Sequence, residues 1–303
     1  MAAPIIDDIW RKYLRAPMLV KLIFINVAVF LVLRILAFVA LFGDIDIAAI
    51  LRWVELPSNL GMLIRKPWTL LTFMFVHFDV LHILFNMLWF YWLGRIFMEF
   101  FSPKQLTGLY LLGGWGGALL YLLVMNLLPH VAATDYYLIG SSVSVIAIVV
   151  ATAVYVPDYK IGLLFLGEVA IKWVALVSVL LLLLGLDIAS LGNGVAHIGG
   201  IAVGALYALL IKRGKDITRP LNALIDAVVG LFNGRTFRTA GSKPGSSARQ
   251  QQPLSQQPSS RMAGGVSEDE LDEILKKIKV SGYDALTDEE RDKLFKVSRN
   301  RKS

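Results

Sequence analysis

Cysteine is absent from the 303 residues of the chain, and only four histidines are present. The lack of cysteine excludes thiol proteases, thiolate zinc sites, iron–sulfur clusters and disulfide frameworks. Charged residues are also scarce, at 17% of the chain, against about 25% in an ordinary soluble domain. Hydrophobic residues make up 56%. This balance excludes a simple soluble globule.

The hydrophobic residues are gathered in runs that approach the roughly 20 residues that a bilayer-spanning helix needs. We therefore predict an all-α, polytopic membrane protein with six spans and a long first connection between them. Glu168 and Lys172, four residues apart at the start of the fifth span, are predicted to form an interfacial ion pair. The predicted spans cover about 18–42, 79–101, 105–128, 139–156, 170–190 and 194–212.

The loop charges predict how these spans are oriented. The chain carries 30 Lys and Arg against 23 Asp and Glu, but the basic residues flank the apolar runs, so we interpret them as topology determinants and expect no nucleic-acid partner. The loops 129–138 and 187–193 contain no Lys or Arg, whereas basic residues precede the first span and follow the last. Both termini are therefore predicted to be cytoplasmic. Arg52, Arg65 and Lys66 in the first outer loop are exceptions to this charge rule.

Four regions are predicted along the chain. Residues 1–17 resemble an interfacial helix, and residues 18–215 form the membrane domain. Residues 216–266 combine an amphipathic stretch with a Ser/Gln/Pro/Gly-rich linker that cannot bury a core. In 267–303, capping boxes that begin at Ser267 and Thr287 predict a small cytoplasmic helical hairpin. Binding of a cytoplasmic partner and an effect on expression alone are both open roles for this hairpin.

Strongly polar residues within predicted spans suggest function, because they are costly in lipid. They occur at the starts of the second, fourth and sixth spans. These three spans run in the same direction, so the three clusters share one depth just below the outer surface. A single buried hydrophilic site is therefore predicted. The clusters comprise His77, His82 and Asn86; Gly140, Ser141, Ser142 and Ser144; and Asn193 and His197.

The fourth and sixth spans together predict a serine hydrolase. The fourth span has about 17 residues, or roughly 26 Å against a hydrocarbon core of about 30 Å, so its start should be recessed beside water. In the sixth span Ala196, Gly200 and Gly204 form a stripe of small residues that lets another helix approach closely. If the partner is the start of the fourth span, His197 comes within reach of the Ser142 hydroxyl. The backbone N–H of Ser142, with the side chains of His82 and Asn86, would then serve as oxyanion donors.

Three motifs in this order resemble the rhomboid intramembrane serine proteases, in particular bacterial members with a C-terminal cytoplasmic extension. They are H-x4-H-x3-N at 77–86, G-x-S at 140–142 and A-H-x-x-G-x-x-x-G at 196–204. The resemblance covers about 50–215 and implies a six-transmembrane-helix rhomboid fold with a long first extracytoplasmic loop. It also implies a protease without a cofactor that cleaves transmembrane protein substrates within the lipid bilayer. The implied roles are Ser142 as nucleophile, His197 as general base, His82 and Asn86 in the oxyanion hole and His77 as support, with Gly140, Ala196, Gly200 and Gly204 in helix packing.

Three departures from the family pattern keep other functions open. Val143 follows the serine where glycine is frequent, Ile146 replaces a frequent aromatic, and Arg52 and Trp53 stand in the reverse of the family order. A non-catalytic membrane-protein binder or escort on the same fold is the main alternative. A transporter would need paired ionisable residues near the midplane and internal repeats, and the sequence has neither. A metal site at His77 and His82 is disfavoured by their spacing of five and by the lack of a buried carboxylate cluster.

Overall fold

The computed structural model describes residues 10–43, 45–128, 135–163, 167–184, 191–232, 273–274, 277 and 286–300. The chain divides into two compact units, Met1–Arg238 and Thr239–Ser303. The predicted interfacial helix at the N-terminus is described only from residue 10, and residues 10–15 are helical.

The described part of the first unit is built mainly from helices. Three short helices and a 3₁₀ turn at Phe73–Phe75 fold the long first connection. In chain order the helices are α1 (Met18–Gly43), α2 (Ile47–Leu51), α3 (Leu60–Arg65), α4 (Thr69–Thr72), α5 (Val80–Phe100), α6 (Pro103–Leu127), α7 (Ser142–Tyr155), α8 (Ile171–Leu184), α9 (Leu191–Lys212) and α10 (Arg219–Phe232).

The predicted all-α membrane fold is confirmed. Within the described residues α1, α5, α6 and α9 are long and apolar enough to cross a membrane, and α7 and α8 are shorter apolar helices at the fourth and fifth predicted positions. The sixth predicted span begins three residues earlier than expected, at Leu191. With 14 residues, α7 is only about 21 Å long at 1.5 Å per residue. This short length is consistent with the predicted recessed start of α7, which stays a prediction.

Two small antiparallel strand pairs were not predicted. β1 (Leu56–Pro57) pairs with β2 (Tyr137–Leu138) and so ties the first connection to the segment before α7. β3 (Lys160–Leu163) pairs with β4 (Gly167–Ala170) between α7 and α8. The predicted pair of Glu168 and Lys172 is wrong, because Glu168 lies on a strand rather than on a helix. It pairs across the ladder with Lys160 at 3.1 Å, while Lys172 pairs with Asp158 at 2.5 Å.

Side-chain caps explain where α5 and α6 begin. The Asp79 carboxylate accepts a hydrogen bond from the backbone N–H of His82 at 2.8 Å, which places that histidine in the first turn of α5. Ser102 and Gln105 form a capping box at the start of α6, with Pro103 at the first helical position. Such caps satisfy backbone N–H groups that have no acceptor within the helix.

Small residues pack α6, α7 and α9 against one another at the centre of the bundle. A Cβ at Gly199 would lie 2.5 Å from the carbonyl oxygen of Gly116, and a Cβ at Gly200 would lie 2.5 Å from that of Val143. A Cβ at Gly204 would overlap the carbonyl group of Ala147. The small-residue stripe of α9 therefore faces α7 at backbone contact, and this contact sets the spacing between the two helices.

The second unit is described at residues 273–274, 277 and 286–300. There α11 (Asp288–Asn300) begins at the predicted capping box, in which the backbone N–H of Thr287 donates to the Glu290 carboxylate at 2.8 Å. The backbone N–H of Glu290 donates in return to Thr287 Oγ1 at 3.3 Å. The predicted capping box at Ser267 lies outside the described residues. The predicted domain boundaries remain predictions.

Candidate active site

The central feature of the site is a hydrogen bond between α7 and α9. Ser142 is the first residue of α7 and His197 lies in the second turn of α9. Ser142 Oγ and His197 Nε2 are 2.8 Å apart. His197 is buried, with 8% of its surface exposed. This distance lies within the range that proton transfer from a hydroxyl to an imidazole requires.

The second ring nitrogen of His197 has a different environment. With Nε2 accepting from the serine hydroxyl, Nδ1 carries the proton in the neutral imidazole. Nδ1 is buried and lies near the backbone carbonyl of Asn193, one turn earlier in α9, without reaching hydrogen-bond geometry. Within the described residues no carboxylate bonds to it. The arrangement is therefore a pair rather than a triad.

His77 is fully buried and joins three segments beside this pair. Its Nε2 accepts hydrogen bonds from the backbone N–H of Ser141 at 3.3 Å and from Asn86 Nδ2 at 3.2 Å. The Ser141 hydroxyl also lies 3.2 Å from Nε2. This pattern assigns the proton to Nδ1, which faces the Phe75 carbonyl oxygen at 3.4 Å. His77 thereby holds α5 and the residue before Ser142 at a fixed separation.

Gly140 leaves an open space between His82 and Ser142. Its φ of +106° is in the left-handed region that favours glycine. A Cβ at this position would lie 3.3 Å from His82 Cε1 and 3.7 Å from Ser142 Oγ. The backbone N–H of Gly140 donates to the Phe73 carbonyl oxygen at 2.9 Å. The absence of a side chain at Gly140 therefore keeps the space between His82 and Ser142 free of a Cβ.

A cavity of about 190 Å³ extends from Ser142 between α5, α7 and α8. Asn86 and Ser178 line it together with apolar side chains, including Ile146. The aromatic residue that the family resemblance leads one to expect at position 146 is therefore replaced by a smaller side chain that leaves this cavity. Val143 is buried and packs its Cγ1 against the glycines of α6 and α9. The branched residue after the serine thus points away from the space beside Gly140.

His77 and His82 lie close enough to raise the question of a shared metal. Their ring centroids are 5.3 Å apart. A catalytic zinc site has three protein ligands, so a third side chain would have to join these two histidines. Across the described ranges, no three His, Asp or Glu side chains come together as such a ligand set.

A buried polar network beneath the site was missed from the sequence. The Tyr110 hydroxyl of α6 donates to the Met74 carbonyl oxygen at 2.9 Å. Asn26 of α1, which is fully buried, donates to the Tyr110 hydroxyl at 3.2 Å and to its own helix at Leu22. This network fixes the 3₁₀ turn whose other carbonyls meet Gly140 and His77. A lone asparagine inside a long apolar run was the available signal.

The chain is similar to known proteins over part of its length. The family model described as the Rhomboid domain matches residues 65–214. The Rhomboid protease GlpG of Yersinia pseudotuberculosis serotype I (strain IP32953) is 27% identical over 174 residues, which cover 56% of this chain and 57% of that relative. The mitochondrial RHOMBOID-like protein 12 of Arabidopsis thaliana is 31% identical over 166 residues, which cover 48% of this chain and 47% of that relative.

The chain thus spans about half the length of the curated relatives that it matches. The matched domain nevertheless contains every residue of the site from His77 to His197. It also contains the apolar helices α5 to α9 that position them. The fold, the matched domain and the two relatives lead to one conclusion, namely that this chain is a multi-pass membrane protein of the rhomboid family.

Proposed function

We propose that this protein is an intramembrane serine endopeptidase that cleaves transmembrane segments of other membrane proteins. The observation that carries the proposal is the 2.8 Å distance between Ser142 Oγ and His197 Nε2 across two packed helices. An exposed serine hydroxyl is a weak nucleophile, and an adjacent imidazole is the group that activates it. The match of residues 65–214 to the Rhomboid domain supports the same assignment.

The proposed reaction proceeds through an acyl-enzyme. Ser142 Oγ attacks the substrate carbonyl carbon while its proton passes to His197 Nε2. The imidazolium then gives this proton to the leaving amide nitrogen, and the peptide bond breaks. A water molecule, deprotonated by the same imidazole, then attacks the ester carbonyl. The ester bond breaks, and the imidazolium gives its proton back to Ser142 Oγ.

The space beside Gly140 is the proposed position of the oxyanion. The backbone N–H of Ser142, in the first turn of α7, has no intrahelical acceptor and can donate to it. The side chains of His82 and Asn86 are the further proposed donors, and each such donor is worth roughly 3–4 kcal/mol. His77 is a positioning residue in this scheme, because it acts through its bonds to Ser141 and Asn86.

The proposed substrate is a transmembrane helix that unwinds locally near the recessed start of α7. A helical peptide bond is shielded by its own hydrogen bonds, so helix-weakening residues near the cleavage site favour reaction. The cavity between α5, α7 and α8 supports entry between α5 and α8. The loop charges favour both termini in the cytoplasm and the serine toward the opposite side. The resemblance to bacterial rhomboids favours the bacterial inner membrane as the location.

The test compares two serines of the same helix. Ser142→Ala should abolish both cleavage of a reporter transmembrane substrate in proteoliposomes and labelling by a fluorophosphonate probe. Ser144→Ala is the matched control, since its buried hydroxyl has no hydrogen-bond partner within the described residues. It should retain both readouts. Cleavage that survives Ser142→Ala would refute the assignment.

The alternative is a binder or escort that shares the rhomboid fold without catalysis. The plant relative is named only as rhomboid-like, and the departures at Val143 and Ile146 motivated this alternative. It predicts that the wild-type protein captures membrane proteins but takes up no serine-reactive probe. Probe labelling of the wild type that disappears in Ser142→Ala would exclude it.

A further inference from the structure

The helix α10 presents an apolar face that no part of the described first unit covers. Leu224, Val228 and Leu231 recur at intervals of four and three residues, so they lie on one side of the helix. Their exposed fractions are 60%, 44% and 75%. We call these three residues the α10 stripe. Side chains of this size are normally buried in a partner, in protein or in lipid.

The opposite side of α10 is fixed to the start of α6. Asp226 pairs with Lys104 at 2.5 Å. Just before the helix, Asp216 accepts a hydrogen bond from Gln105 Nε2 at 3.0 Å. Thr218 and Asn222 lie against Gly108, where a Cβ would meet both of them. These contacts hold the helix so that the α10 stripe faces away from the bundle.

The attachment also fixes the depth of α10 relative to the membrane. The membrane helix α6 begins at Pro103 and the membrane helix α9 ends at Lys212. Both of these ends lie where a span leaves the hydrocarbon. Because α10 follows α9 after six residues and contacts the first turns of α6, it lies at this same interface. An amphipathic helix at that level meets the headgroup and acyl-chain boundary.

The segment that leads into α10 carries mainly positive charge. Residues 212–232 contain two acidic residues, Asp216 and Asp226, and both are engaged by the contacts to α6. The same segment contains four basic residues with exposed side chains, namely Lys212, Arg213, Lys215 and Arg219. Such a segment complements a leaflet with anionic headgroups, since each Lys or Arg near an anionic surface adds about 1 kcal/mol of attraction.

We infer that α10 is an interfacial anchor whose stripe inserts into a leaflet containing anionic phospholipid, with the basic segment 212–219 on the phosphates. This surface is separate from the serine and histidine site and does not depend on the proposed catalysis. Its effect is to hold the ends of α6 and α9 at the membrane surface.

The absence of cysteine makes a direct test possible with the full chain. Leu224→Cys, Val228→Cys and Leu231→Cys would each be labelled with an environment-sensitive fluorophore and reconstituted in vesicles. Ala223→Cys is the matched control, because it is exposed on the same helix about a quarter-turn away from the stripe. Brominated acyl chains in the vesicles report contact between the label and lipid.

We expect blue-shifted emission and quenching by brominated lipid several-fold stronger at the three stripe positions than at Ala223→Cys. The difference should be larger in phosphatidylcholine mixed with phosphatidylglycerol than in phosphatidylcholine alone. Replacing Arg213, Lys215 and Arg219 by Gln should remove the dependence on phosphatidylglycerol. Equal quenching at all four positions would overturn the inference, and so would an absence of quenching, which would mean that protein covers the stripe. Equal shifts in the two lipids would overturn the anionic preference.

Discussion

At the scale of single residues, the contacts beneath the site explain how a loop in a membrane protein stays fixed. The turn at Phe73–Phe75 offers its carbonyls to three different partners: Gly140, Tyr110 and His77. Irregular backbone at membrane depth is tolerated only when such groups are satisfied by protein or water. Tyr110 and Asn26 therefore act on the site through the turn, as positioning residues.

The first prediction concerns the hydroxyl of Tyr110. Tyr110→Phe keeps the ring but leaves the Met74 carbonyl without its partner and leaves the Asn26 amide with only its bond to Leu22. We expect a loss of about 1–3 kcal/mol in stability, which is the cost of an unsatisfied buried polar group, and a several-fold lower cleavage rate. Thermal unfolding in detergent and the reporter assay would measure the two effects.

Tyr207→Phe is the control for Tyr110→Phe, because the Tyr207 hydroxyl is buried without a hydrogen-bond partner among the described residues. Its removal should leave stability and cleavage nearly unchanged. Equal effects of the two substitutions would show that the network around Tyr110 does not position the site.

The second prediction concerns the space beside Gly140. Gly140→Ala places a methyl group between His82 and Ser142 Oγ, where the oxyanion is proposed to lie. Cleavage should fall by about 100-fold, a loss comparable to that of one oxyanion donor. Gly214→Ala is the control, since Gly214 also has a positive φ, of 75°, but a Cβ there meets nothing. If both variants lose the same activity, backbone strain rather than occupied space is the cause.

Some residues of the site could be predicted from sequence and others could not. Ser142 and His197 lie in short motifs whose residue types and spacing indicate a serine hydrolase. Asn26 is a single polar residue in a long apolar helix, and its partner lies 84 positions away in the chain. A contact of that separation depends on how the helices pack, which no local pattern encodes. Ser141 was predicted only as a member of a polar cluster, whereas its backbone and hydroxyl both contact His77.

At the scale of elements, the apolar helices were predictable because length and hydropathy define a span. The small-residue stripe of α9 likewise indicated close helix packing. The ladder of β3 and β4 escaped prediction. Its strands have four residues each, too few for an alternating pattern to stand out beside long apolar runs. The consequence was the mistaken partner for Glu168.

The third prediction concerns the start of α11 and its dependence on pH. Hydrogen bonds from Lys277 and from the Thr287 backbone lower the pKa of Glu290 from 4.5 to about 2. A lowered pKa in the folded state means that the contribution of this carboxylate to stability is complete above the ordinary value. It is lost as the pH falls toward 2. Hydrogen exchange of the α11 amides should therefore accelerate over this interval, after correction for intrinsic rates.

Glu290→Gln should flatten this pH profile, because it removes the titrating charge. Glu289→Gln is the control for a change of charge one residue away, and it should leave the profile as in the wild type. An unchanged profile in Glu290→Gln would contradict the prediction, because the stability of the start of α11 would then not depend on the charge of Glu290 or on its ion pair with Lys277.

At the scale of the whole molecule, the predicted orientation of the spans can be tested directly. A membrane-impermeant maleimide applied to intact bacterial cells should label Asp135→Cys, which lies before α7. Ala16→Cys and Ala223→Cys should be labelled only after permeabilisation, because the positive-inside rule places both on the cytoplasmic side. Labelling of all three in intact cells, or the reverse pattern, would overturn the orientation.

The environment of His197 Nδ1 bears on which substrates the proposed enzyme would cleave. In a triad, a carboxylate orients the imidazole and stabilises the imidazolium, but within the described residues His197 Nδ1 has no such companion. For the proposed protease we therefore expect bond breaking to be slow relative to the lateral diffusion of helices, so that most encounters would end without cleavage. Selectivity would then depend on how long a substrate helix stays bound. A helix that unwinds and remains at the site would be cleaved, whereas one that stays helical would dissociate uncleaved.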